Sequence, residues 1–354
     1  MKFVIATGGT GGHLFPALRV AEELKRQGHD ILFLGSFRRE QKQMHNSGFA
    51  FEDLGSKGFT TASFKEVFDS VAAMIIAIGK AIRSLGRSRP AAVIGFGGYG
   101  AFPTVLSAVF LGYPALIHEQ NVVPGRANAL LAKFVHKVAI SFQKSSTYFN
   151  PKKIVLTGCP CHFPQKHLDR VALLEKFQLE EGKTTILVFG GSQGSQRINE
   201  AFMESSKALK ERIDFQVIHI SGAQGYRKLQ DRYNQLGIPF ALFEFLDKME
   251  EAYYIADLVI SRAGAATVSE IAHFRLPAIL IPYPYAQGHQ KENATLLCEI
   301  GAAELIEEKD VSTPKLIEAT LKMLKTKIVR EKFDQICFPN AASRLAQEAL
   351  KLAQ

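Results

Sequence analysis

Three glycine-rich runs carry the strongest chemical signal in this chain. Thr7-Gly8-Gly9-Thr10-Gly11-Gly12-His13, Gly95-Phe96-Gly97-Gly98-Tyr99-Gly100 and Gly190-Gly191-Ser192-Gln193-Gly194-Ser195 each follow a short apolar run and precede an amphipathic one. Glycine lets the backbone approach a ligand closely, and the unpaired N–H groups opening the next helix favour an anion. A single such turn reads equally well as a tight strand-to-helix connection, but three together point to a phosphate-rich ligand. None is a clean dinucleotide fingerprint. Where an acid would end the second strand and meet a ribose, the chain has Gly35-Ser36-Phe37, which argues against a nicotinamide-dependent oxidoreductase.

Polar residues directly after strands are the next candidates, because ligands of doubly wound sheets bind outside the carboxyl ends of the strands. His118-Glu119-Gln120-Asn121 fits that rule, and so does the run Ser261-Arg262-Ala263-Gly264-Ala265-Ala266-Thr267-Val268-Ser269-Glu270. A carboxylate at Glu270 would accept from two ribose hydroxyls, although an acid early in a helix also simply complements the helix dipole. Further on, Gln287, His289, Gln290 and Asn293 follow a strand and precede a helix. Their hydrogen-bonding groups suit sugar hydroxyls, and a solvated loop is the plainer alternative.

These residues need strands to place them, and the chain supplies short apolar runs alternating with longer amphipathic stretches, the pattern of βα units around parallel sheets. Strands are expected at Lys2–Thr7, Asp30–Leu34, Ala91–Phe96, Ala115–His118, Lys137–Ser141 and Ile154–Thr157. A second set is expected at Thr185–Phe189, Phe215–Ile220, Ala241–Phe245, Leu258–Ser261, Ala278–Ile281 and Ala303–Leu305. Each half therefore makes its own doubly wound sheet. The prolines at 160 and 164 interrupt helix and sheet pairing alike, which predicts a first domain over 1–157, a hinge over 158–164 and a second domain over 165–338. Residues 339–354 hold a closing helix, Ala341–Leu352, with Asn340 as its expected N-cap.

At 354 residues the chain is long enough for two cores. A mean hydropathy of +0.01 describes neither disorder nor a membrane bundle. The four cysteines lack zinc-site spacing and are too few for a disulfide framework, which suits a reducing cytoplasm. The N-terminal apolar run is too short for a secretory signal, and no run approaches the roughly 20 residues that span a bilayer. The net charge of +9 predicts a surface that meets anionic groups. Its basic residues are spread without interleaved aromatics, so a nucleic-acid partner is not expected.

Taken in order, Gly8-Gly9-Thr10-Gly11-Gly12-His13, Gly97-Gly98-Tyr99, His118-Glu119-Gln120-Asn121, Gly190-Gly191-Ser192-Gln193-Gly194 and Thr267-Val268-Ser269-Glu270-Ile271-Ala272 resemble the motif set of the MurG family of glycosyltransferases, over nearly the whole chain. The resemblance implies an α/β GT-B fold: two Rossmann-like, doubly wound parallel-sheet domains facing a cleft, the nucleotide sugar held mainly by the C-terminal one. It implies an inverting transfer of N-acetylglucosamine from UDP-N-acetylglucosamine to the 4-hydroxyl of the muramyl sugar of lipid I. The product is lipid II for peptidoglycan synthesis, hence for cell wall biogenesis, cell shape and division. By that resemblance Ser192 and its turn hold the UDP phosphates, Leu246 backs the uracil and Glu270 takes the ribose. Ala265, Ala266, Thr267, Val268 and Ser269 line the helix start beneath the phosphates. His289 and Gln290 contact the sugar, with Thr10, Gly11, Gly12 and Asn121 reaching in from the N-terminal domain. His13 and Tyr99 are the catalytic candidates, His13 because an imidazole beside a glycine turn orients or deprotonates an attacking hydroxyl.

Two positions depart from the family pattern. The hinge arginine common in the family is replaced in Cys159-Pro160-Cys161-His162, so its phosphate contact falls to His162, and the sugar-binding pair, often two glutamines, reads His289-Gln290. No Asp-x-Asp motif is present, so helix N-termini are expected to stabilise the leaving pyrophosphate without a required metal or cofactor. The stretch Val71–Arg89 pairs apolar bulk with Lys80, Arg83, Arg87 and Arg89. It suits peripheral binding to anionic lipid at the cytoplasmic face of the inner membrane, or a core helix with a basic end. A GT-B transferase with a different lipid acceptor, such as a diacylglycerol glucosyltransferase, is the nearest alternative.

Overall fold

The computed structural model describes residues 1–8, 11–37, 41–56, 64–161, 168–191, 194–223, 225–285 and 288–354. It divides into two compact units, one formed by Met1–Cys161 with Phe338–Gln354 and the other by His162–Cys337. Each is built on one parallel sheet, and the central strands explain why. Phe3, Val4, Ile5 and Ala6 are consecutive and wholly buried, as are Ile186, Leu187 and Val188 in the other unit. Continuous apolar runs of this kind are stable only with helices covering both faces.

The first unit runs β1 (Lys2–Gly8), α1 (Gly11–Arg26), β2 (Asp30–Ser36), α2 (Gln41–Ser47), β3 (Ala50–Asp53), α3 (Phe64–Ser88), β4 (Ala92–Gly95), α4 (Gly98–Phe110), β5 (Ala115–Glu119), α5 (Arg126–Leu131), β6 (Lys137–Ile140) and β7 (Ile154–Leu156). Its strand order is β3-β2-β1-β4-β5-β6-β7. The order reverses between β1 and β4, and the first two glycine runs follow those two strands. A doubly wound sheet binds ligands at this switch point.

The second unit repeats the plan with α6 (Arg170–Lys176), β8 (Thr184–Phe189), α7 (Gln196–Lys210), β9 (Phe215–Ile220), α8 (Tyr226–Leu236), β10 (Phe240–Phe243), α9 (Met249–Ile255), β11 (Leu258–Ser261), α10 (Ala265–Phe274), β12 (Ala278–Leu280), α11 (His289–Glu299), β13 (Ala303–Leu305) and α12 (Thr313–Lys325). Its order is β10-β9-β8-β11-β12-β13, with the switch point between β8 and β11. The third glycine run follows β8, and the Gly264 turn follows β11.

One strand was not expected from the sequence. β3 is a four-residue edge strand whose residues are only partly covered, so it lacks the buried apolar run that marks the others. The closing helix α13 (Ala341–Leu352) forms on the first unit, where Leu345, Ala346 and Ala349 are wholly buried in the cluster that holds Phe3, Leu14 and Leu18. Burying one leucine in this way contributes on the order of 2 kcal/mol. Glu348 adds an ion pair with Lys137 at 2.6 Å. Asn340 stands at the N-cap, but its side chain makes no capping hydrogen bond.

Candidate functional site

In the first unit the turn after β1 packs against the end of β2 and the turn after β4 through positions where no side chain fits. A Cβ on Gly8 would lie 2.2 Å from the Ser36 carbonyl oxygen, and one on Gly100 would lie 3.0 Å from the Gly8 Cα. Gly98, at φ 72°, would place a Cβ 3.0 Å from the Gly8 oxygen and 3.2 Å from the His13 ring. These glycines therefore exist to bring two backbones together, and the His13 imidazole on α1 lies beside that junction. Tyr99 is on the first turn of α4 with its ring partly exposed, and its carbonyl accepts from the Ser56 hydroxyl at 3.4 Å. Gly11 and Gly12 open α1.

The loop after β5 is organised by Glu119, which is 1% exposed. Its Oε1 accepts from the Asn121 backbone N–H at 2.9 Å and from the Asn121 amide at 3.2 Å. Its Oε2 accepts from the Gly125 N–H at 3.1 Å and from the Asn128 amide at 2.9 Å. Both oxygens are thus engaged in holding the loop, which makes Glu119 a positioning residue for Asn121. The Ser145 hydroxyl donates to the Asn121 carbonyl and fixes it from the other side. Gln120 donates to the Phe96 carbonyl at 2.9 Å and ties this loop to the β4 turn.

His118 is wholly buried, with Nε2 at 3.0 Å from the Gly158 carbonyl and 3.2 Å from the Ser141 hydroxyl. Burial pulls its pKa down to about 4; the Gly158 carbonyl opposes the shift and nearby His13 adds to it. It is neutral near pH 7 and serves to tie β5 to the chain leaving β7.

In the second unit Gly190 and Gly194 make the turn after β8 as tight as those of the first. A Cβ on Gly190 would lie 2.1 Å from the Ser195 nitrogen, and one on Gly194, at φ 74°, would lie 2.4 Å from the Ser221 carbonyl oxygen. Ser195 then caps α7, its hydroxyl accepting from the Ile198 N–H at 3.4 Å. Behind the turn, Asn199 donates to the Ser221 carbonyl and its oxygen meets His219, whose other nitrogen lies 2.7 Å from the Tyr233 hydroxyl. Complete burial lowers the His219 pKa to about 3.

The helix α10 begins at Ala265 behind the N-cap Gly264, which makes no side-chain capping hydrogen bond. Ala266, Thr267 and Glu270 are partly exposed, whereas the side chains of Val268 and Ser269 are buried. Glu270 Oε2 accepts from the Tyr253 hydroxyl at 2.9 Å. Gln290, on the first turn of α11 next to His289, accepts through Oε1 from the Tyr283 N–H at 2.8 Å. Leu246 lies partly exposed in the segment after β10.

Each unit thus gathers its own candidates at one sheet edge: Gly11, Gly12, His13, Tyr99 and Asn121 in the first; Leu246, Ala265–Glu270, His289 and Gln290 in the second. Thr10, His162 and Ser192 lie outside the described residues. Two residues that sequence reasoning passed over are central here. Glu119 and Arg262 each stood within a polar run after a strand without being singled out, Arg262 because its partners are distant in sequence. Arg262 is 8% exposed directly after β11, and it donates to the Ser195 hydroxyl at 2.9 Å and to the Ile281 and Pro282 carbonyls at 3.1 and 3.2 Å.

Comparison with known proteins bears on what these edges bind. The glycosyltransferase family 28 N-terminal domain matches residues 3–140, and the family 28 C-terminal domain matches residues 185–348. A UDP-N-acetylglucosamine–N-acetylmuramyl-(pentapeptide) pyrophosphoryl-undecaprenol N-acetylglucosamine transferase of Halothermothrix orenii is 38% identical over 90% of this chain and 89% of its own. The protein of the same name from Bacillus subtilis is 35% identical over 98% of each. Among solved structures, Acinetobacter baumannii MurG superposes with a TM-score of 0.76 at 28% identity, over 99% of each chain. The UDP-GlcNAc 2-epimerase of Neisseria meningitidis superposes at 0.65 over 99% of this chain and 100% of its own, and at 13% identity this likeness concerns the fold alone.

Proposed function

The chain belongs to glycosyltransferase family 28, and from that premise we propose that it transfers N-acetylglucosamine from UDP-N-acetylglucosamine to the muramyl sugar of a pyrophosphoryl-undecaprenol acceptor. The observation that carries this reading is that relatives matched over nine-tenths of the chain or more are named for that transfer. The geometry supports it through glycine turns at the switch point of both sheets, one unit for each of two phosphate-bearing substrates.

In this reading the second unit holds the donor. The turn at 190–195, with Ser192, receives the UDP phosphates together with the first N–H groups of α10, from Ala265, Ala266 and Thr267, where a helix N-terminus favours negative charge. Buried Val268 and Ser269 contribute to the shape and backbone of that helix start. Glu270 has one oxygen held by Tyr253, and the other accepts from a ribose hydroxyl. Leu246 backs the uracil. Gln290 gives its carbonyl to the Tyr283 N–H and so directs its amide N–H2 to a sugar hydroxyl, with His289 beside it. The family resemblance also makes Thr10, Gly11, Gly12, Asn121 and His162 candidates for donor contacts.

The first unit holds the acceptor. His13 orients or deprotonates the attacking 4-hydroxyl, which displaces UDP with inversion at the sugar carbon, and Tyr99 contacts the acceptor. His118 is too buried to share that task, and Glu119 is committed to its loop. Charge on the departing diphosphate is met by helix N-termini without a metal requirement.

A lipid acceptor places the work at a membrane, and α3 suits the cytoplasmic face of the inner membrane as a peripheral anchor. Its inner face buries Ser70, Met74, Ala77 and Ala81, while Phe68 (69% exposed), Ile75 (64%) and Ile76 (58%) face outward above exposed Lys80 and Arg83. An apolar ridge followed by basic residues fits a headgroup boundary with anionic lipid. No helix among the described residues is long and apolar enough to cross a membrane.

The test is to incubate the purified chain with labelled UDP-N-acetylglucosamine and a lipid I analogue, with and without a chelator. A disaccharide-lipid product formed despite the chelator supports the reading. Transfer to diacylglycerol in its place would transfer the assignment to another lipid glycosyltransferase.

A further inference from the structure

Arg262 makes more connections between loops than any substrate role accounts for. Its Nη1 donates to two carbonyls in the segment after β12, at Ile281 and Pro282, and its Nη2 donates to Ser195 at the end of the glycine turn after β8. The same nitrogen pairs with the Glu308 carboxylate in the short helical turn after β13. The guanidinium also lies over the Tyr283 ring at 5.4 Å, and the Tyr283 N–H holds Gln290. One cation thus reaches three strand-end loops, with partners 19 to 67 residues away.

We propose that the Arg262–Glu308 pair is a positioning device for the donor site, fixing the phosphate turn, the Gln290 segment and the β13 turn relative to one another, and that Arg262 is not itself a phosphate ligand. The proposal rests on the second unit being the nucleotide-sugar unit. Burial makes the guanidinium dependent on its carboxylate, because an unpaired buried charge is costly. The planar fork matters as much as the charge: a lysine ammonium is a single point and cannot meet two carbonyls, a hydroxyl and a carboxylate in one plane.

The opposing view is that a cation this close to a glycine turn binds the diphosphate directly. Glu308→Gln separates the two. If the pair positions the loops, removing the carboxylate loosens them, and UDP binding weakens about tenfold, or about 1.4 kcal/mol. If Arg262 were a phosphate ligand, removing its competing carboxylate would leave UDP affinity unchanged or raise it.

The experiment is calorimetric titration of the full chain with UDP, together with steady-state kinetics. Glu308→Gln is expected to raise the UDP Kd and the donor KM together while the acceptor KM stays within twofold; a general loss of structure would not produce that split. Arg262→Lys, which keeps the charge and loses the fork, is expected to weaken UDP binding at least as much. Should Arg262→Lys lack a cooperative melt, Glu308→Gln, whose side chain is partly exposed, decides alone. Unchanged or tighter UDP binding by Glu308→Gln overturns the proposal. Wild-type chain that binds no UDP overturns the donor-site reading and the proposal with it, so the two failures are told apart by the wild-type titration.

Discussion

The two units fix their strand-end loops with buried groups of opposite charge. In the first, the Glu119 carboxylate gathers four N–H donors, all from residues 121 to 128. In the second, the Arg262 guanidinium gathers a hydroxyl at Ser195, two carbonyls at Ile281 and Pro282 and a carboxylate at Glu308. A carboxylate only accepts, so it suits one local loop that curls its N–H groups inward; a guanidinium only donates, in a flat fork, and so bridges loops arriving from different strands. The first site is therefore shaped by one stretch of chain. The second exists only once β8, β11, β12 and β13 have assembled.

The largest expected effect tests whether the chemistry belongs to the first unit and donor binding to the second. His13→Ala is expected to lower kcat about a thousandfold, within the usual range for removing a general base, while UDP affinity stays within twofold. A comparable loss of UDP affinity would break the division of labour. Next in size is Glu119→Gln, which sets an amide N–H2 against donors at Gly125 and Asn128. It is expected to lower kcat/KM about thirtyfold through displacement of Asn121, with UDP binding measured by calorimetry unchanged. Glu270→Gln should raise the UDP Kd about tenfold and remove discrimination against a 2′-deoxy nucleotide, since a site built to bond a hydroxyl rejects the analogue that lacks it. Equal discrimination by variant and wild type would remove Glu270 from the ribose.

The smallest effect concerns stability and is shared by the units. His118 and His219 have folded pKa values of about 4 and about 3, below the ordinary 6.5 of an unfolded histidine. The unfolded chain therefore binds more protons as pH falls below 6.5, so stability is full above that pH and declines as the folded values are approached. Between pH 7 and pH 5 the melting temperature should drop on the order of 5 °C for each unit. A flat profile would contradict neutral burial of these rings.

The same contrast explains what the sequence made legible. All twelve expected strands sit within a residue or two of the observed ones because parallel strands are buried on both faces and read as unbroken apolar runs; the expected Ala241–Phe245 is observed one residue shorter, at Phe240–Phe243, because Phe245 lies exposed beyond the ladder. The edge strand β3 lacked that run. The glycine turns were legible since their residue type is itself the constraint, as the 2.1–3.0 Å approaches at Gly190, Gly8 and Gly98 make plain. Glu119 stood in a suspect run, but its role depends on which way four N–H groups turn. Arg262 stood in such a run too, but its role stayed hidden because partners at Ser195 and Glu308 become neighbours only through the sheet order. The closing helix was readable as a helix from its spacing, whereas its return to the first unit follows from burial of Leu345 and Ala349 against Leu14 and Leu18.

The most direct test of the division between units is amide hydrogen exchange of the full chain with and without UDP. Slowed exchange in the second unit's peptides spanning 190–199 and 262–272 is the predicted result. Protection by UDP of the first unit's turns at 8–14 and 96–101, with the second unit unchanged, would contradict it.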